Sequence, residues 1–417
     1  MKPQRCKGMR DLLPADMAAF RIIEGICRQC FLKWGYQEVR TPTIEYLHLF
    51  TSAGTLTPAM LGKVYSFLDW DGWSGERVVL RPDGTIPVAR LYTENMENDG
   101  LARLFYAANI FMFEEVGERP RERWQSGAEL IGSDSKMADV ELVALSTEIT
   151  EKLGVGNVEL RLSHAGIIKL LLEKLGLGAG EGQGRSFDRI LEGDAEMSAG
   201  ISRENPEYEK ILMPLLGLKG QSSDFAKKQR ALLVKNMPDI TPYLDDFLQA
   251  IELLDSLGCR YQIDIVSGAG FEYYTGMIFQ LYIGDEKIGG GGRYDALIPS
   301  MGGGNVPACG FALYCDRLLK LVKPDLLKPP ESPGILVRSK LNNNKFIKQA
   351  YTLADSLREA GYVVEIDLGG QMQQDYRWVI EVKDKAAFEV LDNTKSKKLD
   401  FTKIADVIKL MEGNGGD

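Results

Sequence analysis

Four separated stretches of the chain gather glycine, carboxylate, tyrosine and arginine side chains at places where strands should end. They are GMRDLLP (8–14), VVLRPDGTIPVARLY (78–92) and IFMFEEVGERPRERWQSGAELIG (110–132). The fourth is GAGFEYYTGMIFQLY (268–282), running on into IGGGGRYDALIPSMGGGNVPACGFALYCDRLL (288–319). Singly, each has a bland reading. LRPDGT can be a strand closing in a turn. The glycine run 289–292 can be a β-bulge or hairpin, and it lacks the Lys-Ser/Thr ending of a phosphate-binding P-loop. A tyrosine pair such as Tyr273 and Tyr274 usually packs a sheet.

Metal chemistry finds little support. Cys27 and Cys30 form a lone C-x-x-C inside the helical-looking RIIEGICRQCFLKWG, and the only two histidines, His48 and His164, show no ligand spacing. A zinc site would need a second pair, so structural thiols and no metal or cofactor are expected. Lys and Arg number 50 against 59 Asp and Glu, a net charge of −9, which argues against nucleic acid as a partner. The first residues, MKPQRCKGMRDLLPADM, hold no apolar run of signal-peptide type, and no window approaches a membrane span. A cytoplasmic protein is expected.

The elements that must position these stretches follow from periodicity. At 417 residues the chain exceeds one ordinary core, so two or three domains are expected. Prolines 324, 329, 330 and 333 mark a linker over 321–334. Beyond it, 335–417 reads as a small α/β domain: strand ILVR, helix FIKQAYTLADSLREAG, strands YVVEIDL and RWVIEV, and a helix near FTKIADVIKLM. Within 1–320, a mostly helical insert is expected at about 166–258. It opens with the helix GIIKLLLEKL and the flexible GLGAGEGQG, and closes with a helix N-capped by Thr241.

In this order and at these intervals the stretches resemble the class II synthetase core of histidyl-tRNA synthetases, over roughly residues 5–320. RPDGT, WQSGAEL, EYYTG and GGGGRYDAL carry most of the likeness. The resemblance implies an α+β fold, an antiparallel six-stranded sheet flanked by helices. It also implies dimerisation through the first motif, around Tyr36 to Glu45. It makes Asp83, Thr85 and Gln125 contacts to the ammonium and polar groups of histidine. Glu129 and Tyr273 would meet the imidazole, with Tyr274 and Tyr294 as pocket walls. An anchored carboxylate and a hydroxyl can each bond one ring nitrogen.

Three departures fall on one reaction. Met112 stands where the synthetases carry an arginine for the ATP α-phosphate, and a thioether cannot replace a guanidinium. Ala269 replaces a histidine-specific arginine, for which Arg121 or Arg123 could substitute. Tyr314 replaces a glycine that gives adenine room, while Arg317 at the end of that motif is kept. Removing one such fixed cation typically costs about 10²–10³ in rate, so no catalytic residue is expected. The C-terminal domain is also short for an anticodon-binding domain, because LGGQMQQD leads almost directly into YRWVIEV.

A shortened anticodon domain on a disabled synthetase core is similar to the regulatory subunits of ATP phosphoribosyltransferase. That likeness implies a short-form catalytic subunit as partner and histidine as effector of the first step of histidine biosynthesis. A divergent histidyl-tRNA synthetase or other adenylating paralogue is the alternative. A free-standing tRNA- or histidine-binding module is a third.

Overall fold

The computed structural model describes residues 4–52, 61–70, 75–97, 100–113, 120–174, 219–265, 273–322, 334–339, 344–369, 376–383 and 387–412. The chain divides into two compact units, Met1–Leu327 and Lys328–Asp417.

The first unit is built on a nine-stranded sheet. Its order is Gln37–Glu38, Ala102–Phe111, Glu122–Ile131, Ala308–Tyr314, Glu286–Arg293, Met277–Ile283, Glu159–His164, Gln262–Asp264 and Lys219–Gly220. The six strands from Ala102–Phe111 to Glu159–His164 are antiparallel throughout. The expected six-stranded sheet is thus its centre. Gln37–Glu38 and Gln262–Asp264 extend it by parallel pairing, and Lys219–Gly220 adds a last antiparallel edge.

Alternation along these strands gives the sheet two different faces. Phe105, Ala128, Phe311, Gly291, Phe279 and Leu162 lie opposite one another in one row across five pairings. That row packs on the helix Pro14–Lys33, whose Phe20, Ile23, Cys27, Cys30 and Phe31 recur at three- and four-residue spacing and are buried. Phe31 stacks on Phe105 with ring centroids 4.9 Å apart. Truncating a buried phenylalanine of this kind costs about 3–5 kcal/mol. The helix Lys136–Leu153 packs beside it, N-capped by Ser135 and closed by Gly154 at φ 60°.

The stretch 35–45 forms two short strands in different sheets. Gln37–Glu38 joins the large sheet, and Ile44–Tyr46 joins a three-stranded sheet with Glu76–Leu80 and Ser66–Asp69. Pro42 between them cannot donate to a ladder. In the insert, Ala165–Lys174, Ser223–Asn236 and Thr241–Ser256 are helical, and the glycine-rich 176–184 falls outside the described residues. Thr241 does not act as the N-cap. A 3-10 turn, Pro238–Ile240, precedes it, and the Thr241 hydroxyl donates to Pro238 O at 2.7 Å.

The second unit is a five-stranded sheet of order Val364–Ile366, Ile335–Ser339, Trp378–Val382, Phe388–Asp392 and Lys397–Phe401. Helices Asn344–Glu359 and Ile404–Glu412 share its core. The last two strands form a hairpin that the sequence reading omitted. Its turn is fixed by Asp392 Oδ1, which accepts from the Thr394 and Lys395 backbone N–H groups. Most of the proline-rich stretch, 323–333, falls outside the described residues.

Candidate functional site

The sheet face turned away from Pro14–Lys33 carries two rows of small residues. Leu104, Glu129, Gly310 and Gly292 pair in one row, and Tyr106, Gly127, Ala312 and Gly290 in the next. Glu129 can lie there because Gly310 is bare: a Cβ at 310 would stand 1.6 Å from Glu129 Oε2. Glu129 is completely buried. Its Oε2 accepts the Tyr294 hydroxyl, while its Oε1 has no hydrogen-bond partner. Burial pushes its pKa up to about 8, with the neighbouring Asp83 adding to the rise and Tyr294, Thr85 and Tyr106 opposing it. Thr85 and Tyr106 therefore stand close by, without completing a well-aligned bond to Oε1.

Alternation also explains how Tyr294 reaches Glu129. Arg293 precedes it and points to the opposite face, opposite Cys309, where its guanidinium pairs with the buried Asp139 at 3.0 Å. It also donates to Ser133 O and Ser135 O. Every side of the guanidinium is matched, and its pKa is raised. Asp295 then accepts the Ala308 N–H at 3.0 Å. The GGGGRYD run is thus pinned on both sides of Tyr294.

Tyr273 and Tyr274 stack at 4.4 Å and share a 3.2 Å hydroxyl–hydroxyl bond, and Tyr273 lies 5.8 Å from the Tyr294 ring. Their segment is held by Thr275 N donating to Arg293 O and by Lys169 Nζ donating to Tyr274 O, both 2.7 Å. Asp83 sits at the start of the helix Thr85–Asn95, where Oδ1 accepts the Ile86 N–H at 2.8 Å. Burial raises its pKa against these backbone bonds. The structure so brings together Asp83, Thr85, Glu129, Tyr273, Tyr274 and Tyr294. Gln125, buried with its Oε1 unpartnered, lies on the same strand face two rows from Glu129.

Tyr106 belongs to this group and was missed by sequence. Its ring fills the space left by two glycines: Cβ atoms at Gly84 and Gly127 would lie 2.3 and 2.5 Å from it. Its buried hydroxyl has no partner. The only sequence signal was its phase, an even number of residues from the one facing Glu129.

The other end of the face is different. Tyr314 pairs with Gln125 across the sheet, and the Arg317 guanidinium lies 5.0 Å over the Tyr314 ring while bonding Lys287 O. The kept arginine is thus engaged with the tyrosine that replaced glycine. Met112 is half-buried just past the strand Ala102–Phe111, its N–H donating to Arg121 O at 2.9 Å. Arg121 lies 3.9 Å over the Phe113 ring and bonds Lys7 O and Tyr65 Oη, and Arg123 donates to Pro120 O. Ala269 falls outside the described residues. Two cavities lie elsewhere. One of about 270 Å³ is walled by Arg21, Arg28 and Arg40, and one of about 190 Å³ by Glu45, Tyr46 and Arg90.

The N-terminal GMRDLLP serves as a clamp. Gly8 O accepts Arg121 N–H at 2.8 Å, and Arg10 pairs with Asp316, which also accepts the Trp124 N–H. Cys27 is a buried thiol whose pKa burial pushes up to about 12. Buried His164 accepts the Gly166 N–H at Nδ1 and faces Asp246 at 3.1 Å. His48 stacks on Tyr46 at the surface. Among the described residues no group of three or more metal-ligating side chains forms, and no helix is long and apolar enough to cross a membrane.

Residues 8–318 match the Histidyl-tRNA synthetase family. An ATP phosphoribosyltransferase regulatory subunit of Dehalococcoides mccartyi is 47% identical over 98% of both chains. A histidine–tRNA ligase of Methanocaldococcus jannaschii is 32% identical over 88% of this chain and 86% of its own. Among solved structures, an ATP phosphoribosyltransferase regulatory subunit/histidyl-tRNA synthetase from Bacillus halodurans superposes with a TM-score of 0.73 at 25% identity, covering 89% and 96% of the two chains. The chain belongs to the histidyl-tRNA synthetase family and, within it, to the branch of ATP phosphoribosyltransferase regulatory subunits.

Proposed function

We propose that this chain is the non-catalytic half of a two-protein ATP phosphoribosyltransferase, required by a short-form catalytic subunit and carrying the histidine signal to it. One observation supports this most: the two ends of one sheet face have diverged. At the Glu129 end, buried acceptors still stand open. At the other, Tyr314 lies beneath Arg317 where the synthetases give adenine room. Such a face can read an amino acid and does not activate it. Histidine binds through Asp83, Thr85, Gln125, Glu129, Tyr273, Tyr274 and Tyr294, and phosphoribosyl transfer is carried out by residues of the partner.

Two copies pair through the first motif, where Ile44 and Tyr46 are 48% and 47% exposed. Residues 1–320 form the synthetase-like core, 321–334 the linker, and 335–417 a shortened relative of the anticodon-binding domain. The protein works in the cytoplasm without a cofactor.

The test is to mix this chain with a purified short-form catalytic subunit, measure the mass in solution, and assay phosphoribosyl transfer with and without histidine. A stable complex, with activity and histidine sensitivity both depending on this chain, is expected. Absence of a complex at micromolar concentrations, with a catalytic subunit equally active and equally sensitive alone, would overturn the assignment.

A further inference from the structure

Gly25 stands near the middle of the 20-residue helix Pro14–Lys33, where glycine is among the poorest helix formers. Among the described residues a Cβ there would meet nothing within 4 Å, so no close packing calls for the bare position. What lies over it is the cavity of about 270 Å³, which also reaches Ala107 and Ser126. Those two residues pair across the sheet two positions beyond Phe105 and Ala128, so they share the helix-packed face and lie on the opposite side from Glu129.

The walls are cationic. Arg21 and Arg28 flank Gly25 at four- and three-residue spacing on one side of the helix, and Arg40 joins them from just past the strand Gln37–Glu38. Arg21 gives Nη1 to Glu24, and Arg28 gives Nε to Glu38 at 2.9 Å. A guanidinium has five N–H donors, so each keeps several to spare. Arg40 is exposed and makes no ion pair among the described residues. Three guanidiniums against two carboxylates leave one positive charge in excess, in a chain whose net charge is −9. The excess is felt nearby: the pKa of Arg81 is lowered by burial, Tyr106 and Glu45 oppose the fall, and Arg40 adds to it.

We propose that this cavity is an anion site for a small phosphate monoester, with Arg21, Arg28 and Arg40 holding the phosphate and Gly25 leaving room for the group it is esterified to. A planar carboxylate is satisfied by a single guanidinium fork, whereas the three terminal oxygens of a phosphate monoester can engage three. The volume falls just below the roughly 300–1,000 Å³ of drug-sized pockets, which sets the ligand at about the size of a sugar phosphate.

Calorimetry on the full chain, in a buffer free of phosphate and sulfate, tests this with ribose 5-phosphate, inorganic phosphate and ribose. Ribose 5-phosphate should bind with a Kd of about 1 mM or tighter, inorganic phosphate more weakly, and ribose not at all. Arg40→Gln should weaken ribose 5-phosphate at least about tenfold. Gly25→Leu, which fills the cavity from a good helix former, should abolish binding with the thermal midpoint unchanged or raised. No heat from ribose 5-phosphate up to about 10 mM would overturn the proposal. So would wild-type affinity in both variants, since the anion would then sit elsewhere. If both variants instead lower the mass in solution and leave ribose 5-phosphate binding intact, the cavity belongs to the pairing of two copies and the proposal fails.

Discussion

Gly310 stands across the sheet from Glu129, and a methyl group there would sit 1.6 Å from Oε2, 2.6 Å from Cδ and 2.8 Å from Ala128 O. An ordinary contact needs about 3.4 Å, so Gly310→Ala must drive the carboxyl group away by well over an ångström in a close-packed interior. The Tyr294–Glu129 bond cannot survive that movement. Overpacking of this kind costs about 1–3 kcal/mol, and the lost hydrogen bond about 0.5–1.5 kcal/mol. Gly310→Ala should therefore lower the unfolding free energy by about 2–4 kcal/mol, and should reduce histidine affinity at least tenfold, because Glu129 no longer holds its place. Urea unfolding gives the first number and calorimetry the second. Gly25→Ala, in the helix Pro14–Lys33 with nothing within 4 Å of the added atom, is the control. It should stabilise by about 0.5–1 kcal/mol, as glycine-to-alanine changes do in helices. If Gly310→Ala matches the wild type in both stability and affinity, Glu129 is not seated against Gly310 and the geometry of the hollow is wrong.

Two further outcomes follow from the same face. Glu129 has a pKa raised from 4.5 to about 8, so between those values the folded state holds a proton that the unfolded state has lost. Its contribution is fully present below about pH 4.5 and shrinks as pH rises toward 8. The stability difference between wild type and Glu129→Gln should fall across that window by several kcal/mol, and a flat difference curve in urea unfolding would contradict it. With histidine and ATP, the purified chain should show no histidine-dependent pyrophosphate exchange above background. Exchange at ordinary synthetase rates would refute the regulatory reading.

The helical character of RIIEGICRQCFLKWG was legible because Ile23, Cys27, Cys30 and Phe31 recur there at three- and four-residue spacing. The hairpin Phe388–Asp392 with Lys397–Phe401 was not. Its buried apolar residues, Phe388 and Val390, alternate for only one period beside the charged Glu389 and the buried Asp392. Thr241 looked like a helix cap, and the 3-10 turn before it supplies the helix start instead. Most candidate pocket residues came from motif likeness, which carries types and order. Tyr106 did not, because what makes it part of the hollow is a partner glycine at 84 and another at 127. Contacts set by register across a sheet leave little trace in a linear pattern.

The same register shows how the two ends of this sheet face can diverge separately. Gly310 and Tyr314 lie on one strand, four residues and therefore about 13 Å apart, both turned to the same side. A tyrosine at the far end can recruit Arg317 without moving the glycine floor beneath Glu129. Substitutions that abolish adenylation are then nearly independent of those that would abolish amino-acid binding. On the proposed reading, what remains is a hollow that binds a ligand without activating it. Such binding has a consequence only where two conformations of an assembly hold the ligand unequally. The coupling must also be reciprocal, so a catalytic partner that gains or loses substrate affinity with histidine must change histidine's own affinity by the same factor.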